Sequence, residues 1–446
     1  MALAPEEQIQ VDASRTWVVG SEGASNAIAS SLDAAPLAVI VDLVRTGFAD
    51  TRPRLAVITG LSRKVVAQRV DQACENGLLK DAGLAHSEGG RQARRLEFNA
   101  DAGYVFGVLI EASEITLGIS DLRGRLLATA HEDWSVDNGP ELTMQRVKLH
   151  LDALASRTGV ARPWGIGVGV PGPVDYSSSR LVSPPIMPGW DGFSARSWLR
   201  EHYDAPVWVD NDVNVMAIGE WAFGTGSRSD DMLFIKAGTG VGAAIISRGR
   251  LLRGQRGAAG DIGHMHVTDD PQVTCRCGQT GCLEAVAGGW SLLEEATRRS
   301  GASAMLTAAI ADHGHVTLGD IGVAAHEGDP LSLEMLLARA QILGEVAASL
   351  VNFVNPGQLV IGGGVLRAGT EPLNRIKDVV LRRSTRLASE GLTVRAASLD
   401  QMEGVIGAAL LAAENLLAPP ALARWVEDAS PLGHATALQR HDTAFV

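Results

Sequence analysis

The stretch Asp261–Glu284, DIGHMHVTDDPQVTCRCGQTGCLE, holds three of the chain's four cysteines. Cys275, Cys277 and Cys282 fall within eight residues, and Gly278 and Gly281 let the chain turn tightly between them. His264 lies eleven positions before Cys275, near enough to return over a loop and complete a Cys3His donor set. Zinc suits that set: thiolate and imidazole are its preferred donors, and four protein ligands leave no open position for a catalytic water. A disulfide competes, but three cysteines leave one unpaired, and nothing signals an oxidising compartment. The expected cofactor is one structural zinc ion held by His264, Cys275, Cys277 and Cys282.

Around this staple lies a chain of 446 residues, too long for one ordinary core. Its 46% hydrophobic and 20% charged residues are those of a globular protein. Abundant glycine with scarce aromatics suits many tight turns between strands. The start, MALAPEEQIQ, has neither the basic end nor the apolar run of a secretory signal. An uncharged run from Val346 to Leu366 is long enough to suggest a membrane span. It is interrupted by Asn352, Asn355, Pro356, Gln358 and Gly362 to Gly364, and reads as helix, turn, strand and glycine turn. A soluble cytoplasmic protein with no membrane partner is expected.

The net charge of −12 excludes a chain that binds nucleic acid throughout, yet residues 51–97 carry nine Lys/Arg against five acids. A basic module on an acidic body follows. Its pattern is specific. PLAVIVDLVRTG and TRPRLAVITGLS read as two short helices closed by Gly47 and Gly60. SRKVVAQRVDQACENGLL reads as a third, capped by Ser62 and ending at Gly77. Val66, Val70 and Ala73 recur on its inner face, leaving Lys64 and Gln68 outside and Arg63 in the first turn. Two strand-like runs, LLKDAG and RRLEFN, flank a glycine loop with Arg91, Arg94 and Arg95 close by. This is a winged helix-turn-helix: Arg63, Lys64 and Gln68 would meet the major groove, and the wing arginines phosphate or the minor groove.

Beyond Tyr104, strands and glycine turns alternate with helices: a three-strand meander, then GIGVGVPGPV, VWVDNDVN and DMLFIKAGTGVGAAIISRGRLL. Helices, QLVIGGGV, LTVRAASL and a last helix, EGVIGAALLAAENLL, follow. GVGVPGPV, PGW at 188–190, VDNDVN, GTGVG, GDIGH and CRCGQTGCLE together resemble the ROK family (repressors, open reading frames and kinases), over about residues 34–416. The resemblance implies an α/β fold, a winged helix-turn-helix followed by a two-lobed actin-like domain of the sugar-kinase type. Expected boundaries are a flexible arm at 1–33, the winged domain at 34–100, lobe one at 101–225 completed by a helix at 402–416, lobe two at 226–401 with the zinc loop, and a mobile tail at 417–446. It also implies that Asn211, Asp212, Asp261, His264 and Glu284 line a sugar pocket, with Asp212 where family kinases keep their general base.

Departures from the family pattern shape the functional expectation. Where the kinases carry a DxGxT-like phosphate turn, this chain has Leu109, Glu111 and Ser113. Leu109 cannot assist a metal–phosphate group, and Glu111 replaces a glycine with a bulky anion. The family's Asn before PGW is Ile186, and the Glu of its ExGH motif is Asp261. The chain therefore reads as a DNA-binding transcriptional repressor rather than an enzyme, with Asp212 a vestigial base. A homodimer or homotetramer would hold a palindromic operator under control of a sugar or sugar derivative. An active ATP-dependent sugar kinase, and a regulator controlled by a protein partner, are the alternatives.

Overall fold

The computed structural model describes residues 35–84, 93–160, 162–182, 184, 187–225, 229–364 and 369–438. The expected arm at 1–33, Arg91 and Ile186 lie outside the described residues. The chain opens with three helices, α1 (Pro36–Arg45), α2 (Arg52–Thr59) and α3 (Arg63–Glu75). Gly60, at φ +70°, ends α2 in a left-handed turn. Ser62 then caps α3 by accepting from the Val65 amide at 3.3 Å. Val66, Val70 and Ala73 are buried, as the spacing predicts. The antiparallel pair β1 (Leu79–Leu84) and β2 (Arg94–Phe98) forms the wing.

Two lobes follow. In the first, β3 (Tyr104–Ile110), β4 (Glu114–Asp121) and β5 (Leu126–Asp133) make the meander, and α4 (Pro140–Thr158) covers it. Next come β6 (Gly165–Val170), the short hairpin β7–β8 (Val174–Asp175, Arg180–Leu181), α5 (Ala195–His202), β9 (Val207–Asn211) and α6 (Asp212–Phe223). The sheet order is β5-β4-β3-β6-β9, with β3, β6 and β9 parallel. In the second lobe, β10 (Met232–Ala237), β11 (Val241–Ser247) and β12 (Arg250–Leu251) precede helices α7 (Leu283–Ala287), α8 (Gly289–Arg299), α9 (Ala304–His313), α10 (Leu318–His326) and α11 (Pro330–Val354). Then β13 (Gln358–Gly362), α12 (Glu371–Arg383), α13 (Arg386–Ser389) and β14 (Thr393–Ala396) complete a sheet ordered β12-β11-β10-β13-β14. Both lobes thus repeat one plan, a meander joined to two parallel strands. Helix α12 ends at Ser384, where the backbone turns extended before α13 begins.

Helix α11 is long and apolar enough to cross a membrane. Here it is a core helix: Leu331, Met335, Leu343 and Val351 are buried in lobe two, and Arg339 in its middle pairs with Glu295 at 3.0 Å.

The last long helix, α14 (Glu403–Leu417), returns to lobe one and packs on β3, β4, β6 and α6. Its small residues permit this: a Cβ on Gly407 would sit 1.7 Å from the Val215 carbonyl oxygen.

The expectation of a mobile tail is corrected for 419–438. This segment forms α15 (Pro419–Leu422), a 3-10 turn and α16 (Ala435–Leu438), with Leu422, Trp425 and Val426 buried. The Trp425 ring meets Trp164 edge-on at 5.3 Å, and its Nε1 donates to the Leu416 oxygen at 3.1 Å. Asn76, just beyond α3, donates to the Val426 oxygen at 2.9 Å, and Gln72 to Glu427 at 2.5 Å. Arg45 on α1 reaches Glu414 on α14 at 2.7 Å. These apolar residues follow short turns rather than a helical period, so periodicity could not reveal them.

Candidate ligand cleft and metal centre

A cavity of about 750 Å³ is lined by residues of both lobes, among them Glu111, Asn211, Asp212, Lys236, Glu284 and Glu403. Asn211 ends β9 and caps α6: its Oδ1 accepts from the Val213 amide at 2.9 Å while its Nδ2 donates to the Gly172 oxygen at 3.0 Å. Asp212 follows, 4% exposed, with Oδ2 2.6 Å from Lys236 Nζ. The same ammonium lies 2.5 Å from Glu111. Burial alone would lower the Lys236 pKa, but Asp212 and Glu111 outweigh it and hold the group well above the usual lysine range. Burial pushes the Asp212 carboxyl up; Lys236 opposes that and Glu111 adds to it.

Leu109 is buried against Gly404, where an added Cβ would meet the leucine side chain at 2.4 Å, and it is not among the described residues that line the cavity. Ser113 lines the cleft. Glu284 is buried, its Oε2 accepting from the Val241 amide at 3.0 Å, so it anchors the Gly238–Gly242 turn. Asp261 is exposed at the rim and His264 half-buried, both lining the cavity. The five residues expected around a sugar are therefore brought to one cleft, but Asn211, Asp212 and Glu284 each already hold a protein partner.

Three features were missed by sequence reasoning. Lys236 interrupts an otherwise apolar strand, FIKAG, and a lysine buried there demands a carboxylate partner. Glu403, first residue of the apolar α14, is buried, with its carboxyl pushed up to about 7 by burial and, further, by Glu220 and Glu111. Asp210 binds Arg253 Nε and Asn214 Nδ2, both at 2.7 Å, while Arg253 stacks on Tyr176 at 4.2 Å.

The ligating atoms of His264, Cys275, Cys277 and Cys282 lie within 4.8 Å of one another. Cys277 Sγ is 3.8 Å from Cys282 Sγ, and His264 Nδ1 is 3.7 Å from Cys275 Sγ. Zinc–sulfur bonds of about 2.3 Å give tetrahedral sulfur–sulfur edges of about 3.8 Å, so the donors fit a zinc ion. The loop is shaped for this. Gly281, at φ +74°, passes so close to Thr268 that a Cβ would lie 2.0 Å from its oxygen. Pairing of the Val267 amide with the Gly281 oxygen and the Leu283 amide with the Met265 oxygen, both at 2.8 Å, ties the loop to Glu284.

On α3, Arg63, Lys64 and Gln68 share the exposed face, opposite the buried valines. In the wing, Arg94 and Arg95 are exposed, and Arg94 pairs with Asp81 at 2.6 Å. Val57 on α2, 83% exposed, was not foreseen as outward-facing.

The ROK family matches residues 105–415. A glucokinase of Halalkalibacterium halodurans is 37% identical over 54% of this chain and 74% of its own length. A xylose repressor of Caldicellulosiruptor bescii is 26% identical, but over 83% of this chain and 93% of its own. In three dimensions, a ROK family transcriptional regulator described as a homologue of the E. coli MLC protein superposes with TM-score 0.71 at 22% identity, covering 89% of this chain and all of its own. The glucokinase likeness covers about half of the chain, whereas the two regulators match across most of it. The chain belongs to the ROK family, in the branch that carries an N-terminal winged helix-turn-helix.

Proposed function

We propose that this protein is a transcriptional regulator, acting as a repressor, that binds a palindromic operator as a homodimer or homotetramer and responds to a sugar or sugar derivative held in the cleft. The observation that carries this reading is the junction between winged domain and lobe one. Arg45 pairs with Glu414 on α14, and the C-terminal segment holds Gln72 and Asn76 at the end of α3. Helix α14 also packs on α6, whose first residue is Asp212 in the cleft. A ligand that prefers one arrangement of the lobes would thereby bias the orientation of the recognition helix.

The reading includes loss of phosphotransfer. Lys236 joins Asp212 and Glu111 into one ion-paired cluster. A base whose lone pairs are held by an ammonium is a poor acceptor for a sugar hydroxyl proton. Glu111 adds a negative charge where polyphosphate would approach. A structural zinc held by His264 and the three cysteines would fix the loop that carries Glu284; its chemistry there is ligation alone.

Sequencing genomic fragments retained by the purified protein, with and without candidate sugars, tests the proposal. Enrichment of a palindromic site that a sugar alters is the expected outcome. The likeness to a glucokinase keeps a second reading, an active sugar kinase, in play, and sugar-dependent ADP release at rates typical of kinases would establish it. A regulator controlled by a protein partner would bind the same site without responding to any sugar.

A further inference from the structure

The charge around the cleft is lopsided. Seven carboxylates line it, from Glu111 to Glu403, and Lys236 is the one lysine or arginine among the described lining residues. Lys236 is already committed to Glu111 and Asp212. Two further cations, Arg395 and Arg253, are committed to Glu220 and Asp210. Glu403 is left over. It is 3% exposed and lines the cleft, and its Oε2 has no hydrogen-bond partner. Native proteins rarely leave such an acceptor unsatisfied unless water, an ion or a ligand reaches it.

What surrounds Glu403 decides what that partner is. Glu220 and Glu111 both act on it with the same sign as its own charge, and its own amide and, more weakly, Lys236 oppose them. The first-turn amides of α14 would ordinarily invite an anion, but the Glu403 carboxylate already bonds to its own amide there. A phosphate would meet further carboxylates and little free positive charge. A positively charged donor meets a surplus of acceptors.

We propose that the end of the cleft around Glu403 is a subsite for an ammonium group carried by the ligand. The cleft then takes amine-bearing sugars in preference to neutral ones and rejects sugar phosphates. This rests on the reading that a sugar binds in the cleft at all.

Calorimetry on the full-length protein at pH 7 tests it, using matched neutral, 2-amino and 6-phosphate forms of glucose, mannose and galactose. The expected result is that one 2-amino sugar binds at least about tenfold tighter than its neutral counterpart and that no 6-phosphate binds at millimolar concentration. In E403Q, which keeps the side-chain shape, the amine-to-neutral ratio falls below about threefold while thermal unfolding confirms an intact fold. Equal affinity of amine and neutral forms in the wild type, or a 6-phosphate binding as tightly as its parent, overturns the inference and leaves the sugar-responsive reading standing. A Glu403-dependent thermal shift with potassium or ammonium chloride alone assigns the subsite to a free cation and also overturns it. No heat with any sugar, while operator fragments are still retained, removes the sugar-responsive reading and this inference with it.

Discussion

Replacing Lys236 with methionine keeps most of its volume and removes the charge that holds Glu111 and Asp212 together. Lys236 is 7% exposed and lies 2.5 and 2.6 Å from the two carboxylates. Breaking a buried pair by deleting one partner costs about 3–5 kcal/mol, because the remaining charge is left uncompensated. At about 2–4 °C per kcal/mol, the first transition in thermal unfolding at pH 8 should fall by roughly 10 °C. The deficit must depend on pH. Asp212 has a folded pKa above its unfolded value, chiefly through burial, and Lys236 is the largest influence pulling it down. Without Lys236 that pKa rises further. A carboxyl raised in this way contributes stability that is fully present below its unfolded pKa and is lost as pH rises through the folded one. The variant should therefore be close to wild type near pH 4–5 and fall behind as pH climbs. Adding Glu111→Gln should recover part of the loss, a coupling of about 1–3 kcal/mol. Calorimetric unfolding from pH 5 to 8 reads all of this. An equal deficit at both ends, or one below about 1 kcal/mol at pH 8, would refute the ion-paired cluster.

Three further expectations concern other parts of the molecule. Cys277→Ser should reduce zinc, measured by mass spectrometry of the purified protein, from one per chain to well below half. It should also expose the loop before Glu284 to proteolysis; full retention of zinc would exclude the Cys3His centre. Trp425→Ala should cost about 3–5 kcal/mol, as large aromatic truncations do. It should also uncouple the winged domain as a separate, lower unfolding transition, and a single unchanged transition would remove the C-terminal segment from the junction. Lys64→Ala with Gln68→Ala should weaken operator binding at least about tenfold in gel shifts while zinc content and oligomeric state stay as in the wild type. Unchanged affinity would mean that α3 does not read the DNA.

Local signals were legible in the sequence. Ser62 caps α3, Val66, Val70 and Ala73 face inward, and the four metal donors converge, because each depends on spacings of a few residues. The meander and two further strands of lobe one were readable from the order of strands and glycine turns, whereas lobe two read as a strand pair with two later strands, and its short third meander strand, β12, was not separated out. Long-range pairings were not legible. Lys236 meets Asp212 from 24 residues away and Glu111 from the turn after β3, so only the closed sheets show that the three share one site. Trp425 looked like part of a loose end because proline breaks hide its neighbours; its burial depends on Trp164 and Leu416, which no local pattern links to it.

The most direct measurement combines both halves of the account in one sample. A fluorescent operator bound to the protein is titrated with the sugar that binds best, with ATP and magnesium present, while anisotropy and ADP are recorded together. The account predicts a change in operator affinity of at least about fivefold, within the usual range of allosteric coupling, with ADP at the sugar-free background. Steady, sugar-dependent ADP production with operator affinity unmoved would contradict it.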